Sequence, residues 1–199
     1  MGEDDGLIAA IERIRSERLV AILRRVPDVD ARVSALADAG FRVVEITLDD
    51  PDAPAAIERA RSRGDVTVFA GTVRRAEQVD VAATAGAEAI VSPGFVREVV
   101  ERAAELGVPA IPGALTPTEV EAAWLAGAAL VKLFPGSVGG PAYVRELRAP
   151  LANIPLLVTG GIDSRNARAF LDAGAVAVGA GSALEDPAEA RRLVEAVRD

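Results

Sequence analysis

Eight short apolar runs begin 20 to 26 residues apart along the chain, at residues 19–24, 42–47, 66–70, 88–92, 108–111, 129–134, 155–159 and 175–179. The segments between them are rich in Ala, Arg and Glu at helical spacing. Runs this continuously apolar suit strands covered on both faces, as in a parallel sheet flanked by helices. Eight strand–helix units close most simply into a (β/α)8 barrel, the TIM barrel, and a chain of 199 residues is at the short end of the range for one. The rival arrangement is a doubly wound open sheet. Ala-Gly recurs ahead of each even-numbered run, at Ala39-Gly40, Ala85-Gly86, Ala126-Gly127 and Ala173-Gly174, where glycine serves as a left-handed helix C-cap. With no composition break, residues 1–199 read as one barrel domain, and a leading helix over about residues 7–18 is expected to cap the barrel bottom.

What the chain lacks narrows its chemistry. It has no Cys and no His, which excludes disulfides, thiolate nucleophiles, iron–sulfur sites, Ser-His-Asp catalysis and histidine-ligated zinc. No metal and no cofactor is expected. A net charge of −8 disfavours nucleic acid, although local donors can still hold a small anion. No stretch approaches the roughly 18 uninterrupted apolar residues of a membrane span. The start, Met1-Gly2-Glu3-Asp4-Asp5, lacks the basic-then-apolar pattern of a secretory signal, so the expected setting is the cytoplasm.

Among 22 basic residues, Lys132 is the single lysine; the rest are Arg. Arginine stays protonated and does not form a Schiff base, whereas lysine can. In so Arg-biased a chain a leftover lysine belongs on the surface, yet Lys132 lies in the apolar run Ala128-Ala129-Leu130-Val131-Lys132-Leu133-Phe134-Pro135-Gly136. A charge in a buried strand is rarely structural unless paired. The period of two supplies a partner. In the second run Val43, Glu45 and Thr47 share a face and Val44 and Ile46 the other; in the sixth, Leu130, Lys132 and Phe134 point one way and Val131 and Leu133 the other. If the apolar pairs pack under helices, Glu45 and Lys132 both face into the barrel. The second and sixth strands stand opposite one another, so the two side chains can meet. Burial favours the neutral amine, which attacks carbonyls, and the protonated carboxyl, which moves protons. That is the equipment of Schiff-base aldol chemistry; the bland alternative is a self-satisfied buried salt bridge.

Glycine clusters end three odd-numbered runs, in Ala70-Gly71-Thr72, Pro112-Gly113 and Thr159-Gly160-Gly161, at the end of a barrel where sites lie. Thr159-Gly160-Gly161-Ile162-Asp163-Ser164 follows the seventh strand and Val178-Gly179-Ala180-Gly181-Ser182-Ala183 the eighth. In such barrels these two loops often bind phosphate through backbone N–H groups. Arg24 ends the first strand and can present a fork to a carboxylate, and Thr72 offers a hydroxyl over the same face. Trp124 and Tyr143 lie in helical patterns and read as packing residues.

Six motifs in register carry a resemblance: Val44-Glu45-Ile46-Thr47, Ala70-Gly71-Thr72-Val73, Val91-Ser92-Pro93-Gly94, Ile111-Pro112-Gly113, Lys132-Leu133-Phe134-Pro135 and Thr159-Gly160-Gly161-Ile162. From about Leu19 to Leu184 the chain resembles the class I aldolases for 2-keto-3-deoxy-6-phosphogluconate and 4-hydroxy-2-oxoglutarate. The resemblance implies a barrel, typically a homotrimer, that cleaves the phosphorylated keto acid to pyruvate and glyceraldehyde 3-phosphate. It implies Lys132 as the Schiff-base lysine and Glu45 as general acid/base. By that resemblance Thr72, Pro93 and Phe134 would line the pyruvate pocket and Gly160, Gly161 and Ser182 would hold the phosphate; from their places at the strand ends, Arg24 and Thr159 are expected to join the substrate contacts and Gly181 the phosphate loop. One position departs: many members have Arg two residues after the Thr of the second-strand motif, where this chain has Asp49. Arg24 is the candidate replacement. The alternatives are an aldolase for the 6-phosphogalactonate epimer, another phosphate-binding barrel isomerase or epimerase, or a non-catalytic or engineered oligomeric scaffold.

Overall fold

The structure is a computed structural model that describes residues 3–198; Met1 and Gly2, part of the segment read above for a secretory signal, lie outside them. Helix α1 (Glu3–Glu17) leads into β1 (Leu19–Leu23), α2 (Val29–Ala39), β2 (Val43–Thr47), α3 (Ala53–Ser62), β3 (Thr67–Gly71) and α4 (Ala76–Thr84). There follow β4 (Ala89–Val91), α5 (Arg97–Glu105), β5 (Ala110–Ile111), β6 (Gly113–Ala114), α6 (Pro117–Leu125) and β7 (Val131–Leu133). The chain ends with α7 (Gly140–Arg148), β8 (Leu156–Thr159), α8 (Ala167–Asp172), β9 (Ala177–Ala180) and α9 (Pro187–Arg198).

All strand pairs are parallel, in the order β5-β4-β3-β2-β1-β9-β8-β7-β6. Among the described residues nine strands stand where eight runs were read, because the fifth strand resumes beyond its run of 108–111 as Gly113–Ala114, on the far side of Pro112, which has no N–H to give to a ladder. Its carbonyls still serve both neighbours. Ser92 N–H donates to Ile111 at 3.2 Å on one side; Ala129, Lys132 and Phe134 donate to Ala110, Pro112 and Ala114 at 2.9, 2.9 and 3.0 Å on the other. The stretch 110–114 therefore closes the ring, and the structure is a barrel rather than a doubly wound sheet.

Period two sorts the side chains as expected. Val44 and Ile46 face outward and are buried beneath the helices. Val20, Val43, Phe69, Val91, Ile111, Leu130, Leu157 and Ala177 face inward as one apolar cluster, joined by Ala10, Ile11 and Ile14 of α1. The leading helix thus plugs the bottom of the barrel; burying a side chain such as Ile14 contributes about 2 kcal/mol. The helix begins earlier than the apolar pattern indicated, at Glu3. The four Ala-Gly glycines all adopt positive φ, at 108°, 84°, 97° and 103° for Gly40, Gly86, Gly127 and Gly174, as helix-ending positions require. Trp124 and Tyr143 pack on the outer core, and the Tyr143 hydroxyl donates to the Leu115 carbonyl at 2.6 Å. Among the described residues no helix is long and apolar enough to cross a membrane.

Candidate active site

The next inward layer lies two residues farther along each strand. The residues that follow the apolar cluster at that spacing are Ile22, Glu45, Gly71, Pro93, Gly113, Lys132, Thr159 and Gly179. Three of them are glycines, and each makes room for something. A Cβ on Gly71 would stand 2.2 Å from Glu45 Oε1, one on Gly113 would stand 2.2 Å from the Pro93 carbonyl oxygen, and one on Gly179 would meet Thr159 Cγ2 at 2.8 Å. The barrel is packed solid below this layer and opens above it.

Lys132 Nζ sits 3.4 Å from both Glu45 Oε1 and Oε2, so β2 and β7 meet across the barrel. The Glu45 side chain is 0% exposed and that of Lys132 is 7% exposed. Stripping water from two charges costs several kcal/mol per ion, so a buried pair is weak as a stabilising device and more readily understood as chemistry held in reserve. The Phe134 ring lies 5.7 Å from Nζ and is half-exposed at the barrel mouth.

Above the pair is a cavity of about 380 Å³. Every site residue read from the sequence except Glu45 lines it: Lys132 at the floor, with Arg24, Thr72, Pro93, Phe134, Thr159, Gly160, Gly161, Gly181 and Ser182. Thr159 Oγ1 is buried and has no hydrogen-bond partner among the described residues, which leaves its hydroxyl to a bound molecule. Thr72 takes φ 60°, an uncommon conformation for a β-branched residue and one that costs about 1–3 kcal/mol. Arg24 donates to its hydroxyl at 3.2 Å and to Asp49 Oδ2 at 3.2 Å, while Arg25 approaches the same oxygen at 3.4 Å. Asp49 thus occupies the position where the resemblance placed an arginine and instead anchors one. Burial works to raise the Asp49 pKa, but the Thr47 hydroxyl and the two guanidinium groups hold it below the ordinary carboxylate value. The Arg24 clamp is therefore fully formed above the usual Asp range and is lost in acid, as the pH falls through that lowered value.

Sequence reasoning missed other lining residues. Ile22 was accessible by adding two to Val20. Arg32, on α2, and Leu184 and Glu185, in the 3-10 turn Ser182–Glu185, carried no motif, because their position depends on how α2 packs beside the loop after β9.

Gly71→Ala should cripple the site without unfolding the barrel. The added methyl cannot coexist with Glu45 Oε1 where it stands, so the carboxylate must leave Lys132. We expect kcat to fall at least about tenfold, with far-UV circular dichroism unchanged; a folded variant with wild-type kcat would show that this placement of Glu45 is immaterial.

The chain is similar to known proteins over most of its length. A family model described as KDPG and KHG aldolase matches residues 10–194. A 2-dehydro-3-deoxy-6-phosphogalactonate aldolase of Escherichia coli (strain K12) is 41% identical over 174 residues, covering 83% of this chain and 83% of the relative. A 2-dehydro-3-deoxy-phosphogluconate aldolase of Treponema pallidum (strain Nichols) is 39% identical over 162 residues, covering 80% of this chain and 77% of the relative. Among solved structures, a porous cage designed by fusing symmetric oligomeric domains superposes with a TM-score of 0.86 at 37% identity, over 91% of this chain and 72% of that one.

Proposed function

The chain belongs to the KDPG and KHG aldolase family, and from that premise we propose that it is a Schiff-base aldolase cleaving 2-keto-3-deoxy-6-phosphogluconate to pyruvate and glyceraldehyde 3-phosphate, with 4-hydroxy-2-oxoglutarate as a further substrate. The observation that carries this reading is the buried Lys132 amine 3.4 Å from both Glu45 oxygens, at the floor of the cavity. In the proposed cycle neutral Lys132 attacks the C2 carbonyl and gives a carbinolamine, which loses water to an iminium ion as Glu45 supplies the proton. A base, Glu45 directly or through a water, takes the C4 hydroxyl proton. The C3–C4 bond breaks, its electrons pass into the iminium to form an enamine, and the aldehyde departs. Protonation at C3 and hydrolysis of the resulting imine release pyruvate and the free amine.

Arg24 and Thr72 are assigned to the keto-acid carboxylate, Thr159, Pro93 and Phe134 to the pyruvyl part, and the Gly160–Gly161 and Gly181–Ser182 backbone to the phosphate. A fork to a carboxylate is a charge-assisted contact of the stronger kind. Arg24→Ala should therefore raise the KM for the keto acid about tenfold or more while kcat changes less; an unchanged KM would remove Arg24 from substrate binding.

Reduction with borohydride in the presence of pyruvate, read by intact-protein and peptide mass spectrometry, tests the central claim. A single stable adduct on Lys132 is expected, and folded protein that gains none would overturn it. The epimeric 6-phosphogalactonate substrate is a second reading, favoured by the name of the Escherichia coli relative and by Asp49 standing where many family members carry Arg. Relative kcat/KM on the two epimers decides between them. We further place the enzyme in a homotrimer, for which the similarity to domains chosen as symmetric oligomers and the exposed Leu125 and Val138 give support, and in the cytoplasm, where a phosphorylated acid that does not cross a bilayer unaided is found.

A further inference from the structure

Three cationic side chains line the cavity: Lys132, Arg24 and Arg32. Lys132 faces Glu45 and Arg24 faces Asp49. Arg32 has no carboxylate within ion-pair distance among the described residues, although most of the other arginines do. The one hydrogen bond of its guanidinium among the described residues goes to a neutral acceptor, the Leu184 carbonyl. Arg18, Arg42 and Arg148 also bond carbonyls alone, but none of them lines this cavity. A guanidinium has five N–H donors, so most of those on Arg32 are uncommitted in a half-buried position, an expensive arrangement for a cation unless an anion completes it.

Placement says which anion. Arg32 projects from the first turns of α2 and is fastened through Leu184 to the 3-10 turn that begins at Ser182, beside Gly181. That is the end of the cavity where the glycine loops after β8 and β9 converge, away from the Lys132–Glu45 floor. Backbone N–H groups there offer direction but little net charge, and a phosphate dianion in a partly desolvated site gains most from a fixed cation on its open side. We propose that Arg32 is the cationic arm of the phosphate subsite. Its free N–H groups take non-bridging phosphate oxygens opposite Gly160–Gly161 and Gly181–Ser182, and so set this chain's preference for phosphorylated over unphosphorylated keto acids. The inference rests on the reading of those glycine loops as the phosphate site given above.

The test compares wild type with Arg32→Met, which keeps the apolar stem, and Arg32→Lys, which keeps the charge but not the fork. The readouts are the ratio of kcat/KM for 2-keto-3-deoxy-6-phosphogluconate to that for 4-hydroxy-2-oxoglutarate, and the inhibition constant of inorganic phosphate against cleavage of the latter. In the Met variant the ratio should fall at least about tenfold and the phosphate inhibition constant rise by a similar factor, with Lys between the two. A general structural defect lowers activity on both substrates and leaves the ratio intact; that result, like unchanged phosphate inhibition, would overturn the role of Arg32. If wild type itself shows neither phosphate inhibition nor preference, the glycine loops are not a phosphate site and the proposal falls with them. Should the Met variant fail to fold, the Lys variant carries the comparison, and an undiminished ratio there together with unchanged phosphate inhibition counts against the fork.

Discussion

Lys132→Arg should abolish turnover, lowering kcat by more than about a thousandfold, because it keeps a positive charge near Glu45 and removes the nucleophile. The expectation is unusually clean in this chain. Lys132 is the single lysine, so no other lysine side chain can form the imine in its place. The position is also demanding: the Lys132 side chain is 7% exposed, and its Nζ is boxed by the Glu45 carboxylate and the Phe134 ring. Wild type treated with pyruvate and borohydride should gain one adduct and the variant none. Activity within tenfold of wild type would end the imine mechanism, whatever the fold resembles.

Glu45→Gln should be the second most damaging change, with kcat reduced about a hundredfold or more. Glutamine has the size and shape of the native side chain and fits the space that Gly71 leaves, so the loss measures proton transfer rather than packing. Imine formation should slow yet remain detectable by trapping, since the amine is still present. An undiminished rate would take Glu45 out of the chemistry and leave its contact with Lys132 as a buried ion pair alone.

Much of this site was legible before any coordinates because the barrel obeys a simple parity. Glu45 and Lys132 could be assigned to the interior from the outward preference of Val44, Ile46, Val131 and Leu133, and opposition across the ring followed from strand count. The glycine loops after β8 and β9 were likewise legible as strand-end motifs. Two features were not. Pro112 reads as part of a glycine-bearing strand end, yet it stands between two short strands, and its carbonyl holds the β7 ladder while that of Ile111 holds the β4 side. Asp49 was read as the loss of a cation, whereas it holds Arg24 over the cavity beside Thr72. Both depend on which groups from distant segments fall within hydrogen-bonding range.

Local sequence already carried the repeat, the inward-facing residues and the single lysine proposed as nucleophile. These follow from local periodicity and from a composition with one lysine and no histidine or cysteine, and neither needs a distance. Only the fold decided how closely Gly71, Gly113 and Gly179 approach Glu45, Pro93 and Thr159 around the cavity, and that Arg32 arrives there from a helix without a carboxylate partner among the described residues. Those outcomes come from strand stagger and helix packing, which set separations to within an ångström among residues far apart in the chain, and no one-dimensional pattern records them.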